Sequence, residues 1–244
     1  MGSVEIVGDK KNWLRLCNKV LKIKDEVFFR VKDEGIHIRE VDDGHVTLLD
    51  VVLSSDVFEK FNVAGGCALL GVNVQDFKNF LNLLGEKITF SCSGNNIILS
   101  DTEGKKASMG LIDGETYKDV PNVEVKFDFE IRLSTEDLDV ILKTARLFEN
   151  VKFEVKGRKF FVSAGSDGKF FESMLSKRVK SLANAKKCSS IFNSNYLINV
   201  LDMIKNEKDV TVFLGEDTIL KIEGKDEKEK THCLLAPVIT DKEY

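Results

Sequence analysis

At 244 residues, with 43% hydrophobic and 31% charged content, the chain can bury one large core or two ordinary ones, and it is not a disordered or fibrous composition. No run of 18 apolar residues occurs and the opening MGSVEIVGDKK has no apolar signal segment, so neither a membrane span nor secretion is expected. The net charge of −4 selects no partner class by itself, and five scattered cysteines without CxxC spacing predict buried reduced thiols, not disulfides or a zinc site. In chain order, the first element is a helix over 9–24 with Asp9 at its N-cap. Trp13, Leu16, Cys17, Val20 and Leu21 recur on its apolar face, while Lys11, Arg15, Asn18 and Lys22 lie opposite, flanked by Lys10 and Lys19. Taken alone, such a basic face reads as solvated surface. Strands follow at 26–31, 36–41 and 46–53. Alternation assigns Ile36, Ile38, Thr47, Leu49, Val51 and Leu53 to a core face. It gathers Val41, Val46 and Leu48 on the outward face beside the Asp42-Asp43-Gly44 turn, where an apolar cluster needs a cover. After a short connection at 54–61 come a strand at 67–72, a helix at 73–84, a hairpin of 87–91 with 97–100 around Gly94-Asn95-Asn96, and a strand at 105–112.

The same order then repeats. A helix over 134–148 carries Leu138, Ile141, Leu142, Ala145 and Phe148 on its apolar side. Residues 151–155 and 160–164 match 27–31 and 36–40 at an offset of 124, which also pairs Asp43-Gly44 with Asp167-Gly168. A strand at 170–176 and a helix at 195–205 come next. Residues 210–214 and 219–222 then match 88–92 and 97–100 at an offset of 122. The chain is two copies of one helix–strands–helix–strands unit. The stretch DGETYKDVPNVEVK between them, with one of two prolines and little periodicity, reads as a connector. The expected organisation is an N-terminal domain over 1–113, a connector over 114–126 and a C-terminal domain over 127–244.

With VDDGHVTLLDVVL after the first turn, LLGVNVQDFKNFL before and within the second helix, and HCLLAPVI near the end, this duplicated chain resembles the sliding clamps of archaea and eukaryotes, the proliferating cell nuclear antigen family. The likeness runs over nearly the whole chain. It implies an α+β DNA-clamp fold of two similar domains, each with two helices backed by antiparallel sheets. It also implies a trimeric ring, of identical or sister subunits, around duplex DNA without sequence preference. The helices would line the hole, and the ring would tether DNA polymerase, clamp loader, flap endonuclease and DNA ligase. Helices over 9–24, 73–84, 134–149 and 195–205 sum to about +3, leaving the remainder near −7, a distribution that attracts phosphate inside and repels it outside. Lys11, Arg15, Lys22, Lys78, Lys143 and Arg146 are the expected DNA-facing set. The fourth helix departs from that pattern with Asn195, Asn199 and Asp202, and the third carries Asp139 beside Lys143. Drift or a heterotrimer with sister subunits would each account for this.

The resemblance also implies a pocket for a short partner motif with a glutamine, an aliphatic residue and paired aromatics. Carried over by position, it takes Val41, His45, Val46 and Leu48, Tyr117, Val120 and Pro121 from the connector, and Leu234, Ala236 and Pro237 near the C-terminus. His45 reads alternatively as a turn histidine. The connector is one residue short of the family pattern, and Lys118 stands where an apolar residue is common, with Tyr117 as its substitute. Thr218 replaces a family proline. Ring closure is expected to pair 105–112 with 169–176 of the next subunit, with Met109, Leu111, Phe148, Phe171 and Met174 at the interface or packed within one subunit. No Walker A, GxGxxG or HExxH sequence occurs, so no enzyme, cofactor or metal is expected. A checkpoint-type or viral clamp-like subunit is the alternative function. The compact length and lack of an evident nuclear-localisation run favour an archaeal cytoplasmic and nucleoid setting over a nuclear one.

Overall fold

The computed structural model describes residues 3–176 and 178–239, so the outermost bounds of the expected domains lie outside the described residues. The described chain forms two compact units. The first takes 3–43, 49–121 and 227–230; the second takes 44–48, 122–226 and 231–239. Two short pieces are thus exchanged between the halves of the sequence.

The first unit begins with β1 (Val4–Asp9) and α1 (Lys10–Val20), then β2 (Glu26–Lys32), β3 (Gly35–Val41), β4 (Thr47–Ser54, in this unit from Leu49 onward), β5 (Lys60–Val63), β6 (Cys67–Asn73), α2 (Val74–Leu83), β7 (Lys87–Ser93), β8 (Asn96–Asp101) and β9 (Lys106–Gly110). One antiparallel sheet runs β5-β1-β7-β8-β9, and a second run is β4-β3-β2-β6. Trp13, Leu16, Cys17 and Val20 fall at helical spacing on the buried face of α1, which packs beside α2. The indole of Trp13 stacks on Phe90 at 5.2 Å between centroids and meets Phe58 at 5.1 Å and Phe77 at 5.6 Å. Each such fully buried ring contributes about 1.5–3 kcal/mol of transfer free energy. Asp9 sits at the N-cap in extended conformation but makes no side-chain cap; its carboxylate goes to Lys87 at 2.9 Å and Lys11 at 3.4 Å.

Two glycines fix where chain segments meet. Gly35 has φ +145°, and a Cβ there would stand 2.1 Å from the Leu53 carbonyl oxygen, so β3 can lie against the end of β4 only without a side chain. At Gly71 a Cβ would meet the Ile112 oxygen at 2.6 Å, and the Ile112 amide donates to the Gly71 oxygen at 2.9 Å. The Gly71-Val72-Asn73 triplet therefore holds the stretch just before the connector and also caps α2, since Asn73 accepts from the Asp76 amide at 3.0 Å.

The second unit holds β10 (Phe129–Leu133), α3 (Thr135–Leu147), β11 (Asn150–Lys156), β12 (Lys159–Ser166), β13 (Lys169–Met174), β14 (Val179–Ser181), β15 (Lys187–Asn193), α4 (Ser194–Ile204), β16 (Asp209–Leu214), β17 (Leu220–Lys225) and β18 (Glu229–Leu235), the last reaching it from Thr231 onward. Its runs are β14-β10-β16-β17-β18 and β13-β12-β11-β15. Ser134 and Asp137 form a capping box on α3, with bonds of 3.2 and 2.9 Å. Phe153 packs against Phe160 and Phe192 at 5.3 and 5.4 Å.

Strands β2 and β3 map onto β11 and β12 at the offset of 124, element start to element start. The second match needs a correction. An offset of 122 puts Ile219 on Ile97, but Ile219 is half-buried and Leu220 and Ile222 are the buried residues of β17. The faces agree at 123, because the β16–β17 turn is longer than the β7–β8 turn and a one-residue slip inverts a strand.

Candidate functional site

In the first unit, the connector is held to the outer face of β2, β3 and β4 by side chains, since 117–121 belong to no helix or strand. The Tyr117 ring lies edge-on to Phe28 at 5.0 Å, with the Arg30 guanidinium carbon 5.2 Å from its centroid. Arg30 also pairs with Asp119, which accepts from the Tyr117 hydroxyl at 3.0 Å. Arg39 donates from Nε to the Val120 oxygen at 3.2 Å and from Nη2 to the Pro121 oxygen at 3.0 Å, and its Nη1 pairs with Asp50. His37 Nε2 meets the other Asp50 oxygen at 2.8 Å. Burial opposes ionisation of Asp50, but the bonds and charge of His37 and Arg39 outweigh it and hold the carboxyl below its ordinary range. Val41, Tyr117 and Val120 are half-buried and Pro121 is exposed. Nothing in residue spacing announces this anchorage; the usable signal is that Arg39 and Asp50 stand at outward positions of two strands joined by a turn.

In the second unit, the Ala236 amide donates to the Val46 oxygen at 2.9 Å and the Val238 amide to the Ile191 oxygen at 2.7 Å. These two bonds seat the L-A-P segment beside 44–48. His45 adopts φ +54°, a left-handed turn position, and is exposed. Val46, Leu234, Ala236 and Pro237 are half-buried. Leu48 departs from the outward expectation: it is 6% exposed, so it already has a cover within the chain.

The basic helix faces divide. Lys11 is exposed beside Asp9, Lys22 is exposed just past the end of α1, and Lys143 and Arg146 are exposed on α3. Lys78 is half-buried on α2. Arg15 donates from Nε to Glu229 at 2.7 Å, and Lys19, expected on a solvated flank, is 5% exposed and pairs with the same carboxylate. Glu229 is itself 2% exposed. The helical stripe of cations is therefore partly consumed inside the first unit by an acid far away in sequence. On α4, Lys205 pairs with Asp202 at 2.9 Å.

Both strands expected at ring closure are sheet edges. β9 ends one sheet and β13 another. On β13, Phe170 is 73% exposed, with Phe171 and Met174 at 38% and 39%; Phe170 is an exposed ring that the expected set omits. Met109, Leu111 and Phe148 are half-buried. Among the cysteines, Cys17, Cys188 and Cys233 are buried, but Cys67 is exposed, which corrects the expectation of uniformly buried thiols. Burial pushes the Cys17 and Cys188 thiols up to about 12. Among the described residues, no group of three His, Cys, Asp or Glu side chains gathers as a metal site, and no helix is long and apolar enough to cross a membrane.

The family model for the N-terminal domain of proliferating cell nuclear antigen matches residues 13–140, more than half of the chain. The chain belongs to this family. Proliferating cell nuclear antigen proteins are non-catalytic DNA polymerase sliding clamps. A DNA polymerase sliding clamp of Thermococcus fumicolans is 28% identical over 250 residues, covering 97% of this chain and 99% of its own. That of Methanosarcina mazei is 25% identical over 224 residues, covering 89% and 91%. Among solved structures, A. fulgidus PCNA bound to the C-terminal region of FEN-1 superposes with a TM-score of 0.86 at 16% identity, covering 98% of this chain and all of that one. The PCNA2-PCNA3 complex of Sulfolobus tokodaii gives 0.78 at 19%, covering 96% and 98%. These likenesses carry the α+β clamp fold.

Proposed function

We propose that three copies of this chain close head to tail into a ring that encircles duplex DNA and tethers replication and repair enzymes to it. The observation that supports this most is the near-complete, two-way overlap with polymerase sliding clamps. A second support is that β9 and β13 are both terminal strands of antiparallel sheets, and β13 is apolar. An exposed apolar edge calls for a partner strand, and a rotationally closed set of copies would pair each β13 with the β9 of its neighbour. Met109, Leu111, Phe148, Phe171 and Met174 are assigned to that contact. Lys11, Lys22, Lys78, Lys143 and Arg146 are assigned to sequence-independent phosphate attraction, with Arg15 in a reduced role because it is engaged by Glu229.

Partner enzymes are read through a segment bearing a glutamine and paired aromatics, by analogy with the FEN-1 tail bound to the A. fulgidus protein. In the first unit the receiving residues are Val41, Tyr117, Val120 and Pro121; in the second they are His45, Val46, Leu234, Ala236 and Pro237, with the buried Leu48 as backing and not as a contact. The polymerase, clamp loader, flap endonuclease and DNA ligase are the expected partners. A heterotrimer is the second reading, favoured by the lack of basic residues on α4, with Lys205 just past its end paired to Asp202. The domain bounds 1–113, 114–126 and 127–244 are carried forward as the functional division. The test is polymerase processivity on primed circular template with the loader present. Longer products are expected with this protein, and unchanged product length would overturn the proposal.

A further inference from the structure

We propose that Arg39 is a positioning residue for partner binding, acting by fixing the height and backbone orientation of the connector. The inference rests on the pocket reading above and adds to it the group that sets the pocket's connector wall. The connector at 117–121 lies in no helix or strand, and its one turn bond, from the Tyr117 amide to the Gly114 oxygen at 3.1 Å, sits at its start, so the placement of 118–121 depends on what grips them. One planar guanidinium grips two successive carbonyls, of Val120 and Pro121, while a third nitrogen is tied to Asp50. Asp50 in turn is held at its other oxygen by His37 at 2.8 Å, so the carboxylate cannot swing and the fork is aimed. The Arg39 side chain is 13% exposed, which removes most solvent competition for these bonds. Arg30 with Asp119, and Tyr117 on Phe28, make a separate attachment earlier in the same segment.

This grip bears on recognition in two ways. The connector is ordered before a partner arrives, so the partner does not bear that entropy loss on binding. The carbonyls of residues 120 and 121 each already accept one bond from Arg39, which fixes their direction and leaves at most one lone pair apiece for an extended partner segment.

The experiment compares wild type, R39A and R39K by hydrogen exchange of the free protein and by titration with a peptide bearing a glutamine and paired aromatics. Removing two bonds to a charged donor is expected to weaken the peptide about tenfold in R39A. Exchange over 117–120 should quicken, while the β2–β3 amides and the particle mass stay at wild-type values and the melting temperature drops modestly in R39A alone, through loss of the Arg39–Asp50 pair. R39K keeps the charge beside Asp50 but cannot fork to two carbonyls, and should fall between. R39A binding the peptide with wild-type affinity, or showing unaltered exchange over 117–120, would overturn the inference. If the wild-type protein takes up no such peptide, the pocket reading fails and this inference with it; faster exchange in R39A then places the failure in the pocket and not in the grip on the connector.

Discussion

Glu229 shows how far a single buried charge can redirect a surface. Its carboxylate is surrounded by protein and is neutralised by Lys19 and Arg15, which lie one helical turn apart on α1. Removing the acid alone would leave Lys19 buried without the carboxylate that neutralises it, so Glu229→Ala is expected to cost about 3–5 kcal/mol in chemical denaturation, whereas Lys11→Ala should be near neutral. Glu40 behaves in the opposite sense. Burial pushes its carboxyl up, offset in part by the Phe28 amide at 3.2 Å and by Lys24 and Arg30. The folded state therefore holds a proton on Glu40 more readily than the unfolded chain does. Stability falls as pH rises from the ordinary carboxylate value through the raised one, and stays lower above it. Glu40→Gln should remove that slope and melt higher than wild type at neutral pH. Asp50 has the reverse sign: its contribution is full above the ordinary carboxylate value and disappears as pH falls through the lowered one. Neither Glu40 nor Glu229 stands out in the sequence: each is in phase with a buried apolar face, Glu40 with Ile36 and Ile38 and Glu229 with Cys233 and Leu235, but a charge there reads as the end of the buried stretch until its partners are known.

At the scale of elements, legibility follows how apolar the buried face is. The helices α1 and α3 declare themselves because their buried stripes are mostly apolar. β15 and β18 do not: their buried faces include Ser190, and Glu229 with Thr231, so polar residues interrupt the alternation that marks a strand. Ser190 is satisfied by donating to the Gly215 oxygen at 2.9 Å, a bond that no spacing foretells. The edge strand β13 carries three large apolar residues in six, which alternation alone leaves open between packing inside the unit and the proposed contact with a second chain; their exposure is what supports the contact. Phe171→Ala with Met174→Ala should reduce the particle mass in light scattering while leaving circular dichroism unchanged, because these side chains pack little within their own unit. For the helix faces, Lys143→Ala with Arg146→Ala should lower the logarithmic salt slope of DNA retention by about 2, roughly one for each phosphate no longer neutralised. Arg15→Ala should change it less, its charge being taken up by Glu229.

For the whole molecule, duplication gave the strongest signal in the chain, since strands at a fixed offset of 124 state the architecture without any hydropathy argument. What duplication does not convey is the exchange of short segments, 44–48 into the second unit and 227–230 into the first. These long-range choices depend on partners remote in sequence, such as Val46 with Ala236, that only the folded backbone brings together. Phosphate attraction inside a ring and partner capture on its rim both presuppose that copies of this chain close on one another. Native mass spectrometry of the chain alone, at micromolar concentration and near-physiological salt, addresses that directly. Ring closure predicts a particle of three times 27.4 kDa, and a chain that stays monomeric across that range would contradict it.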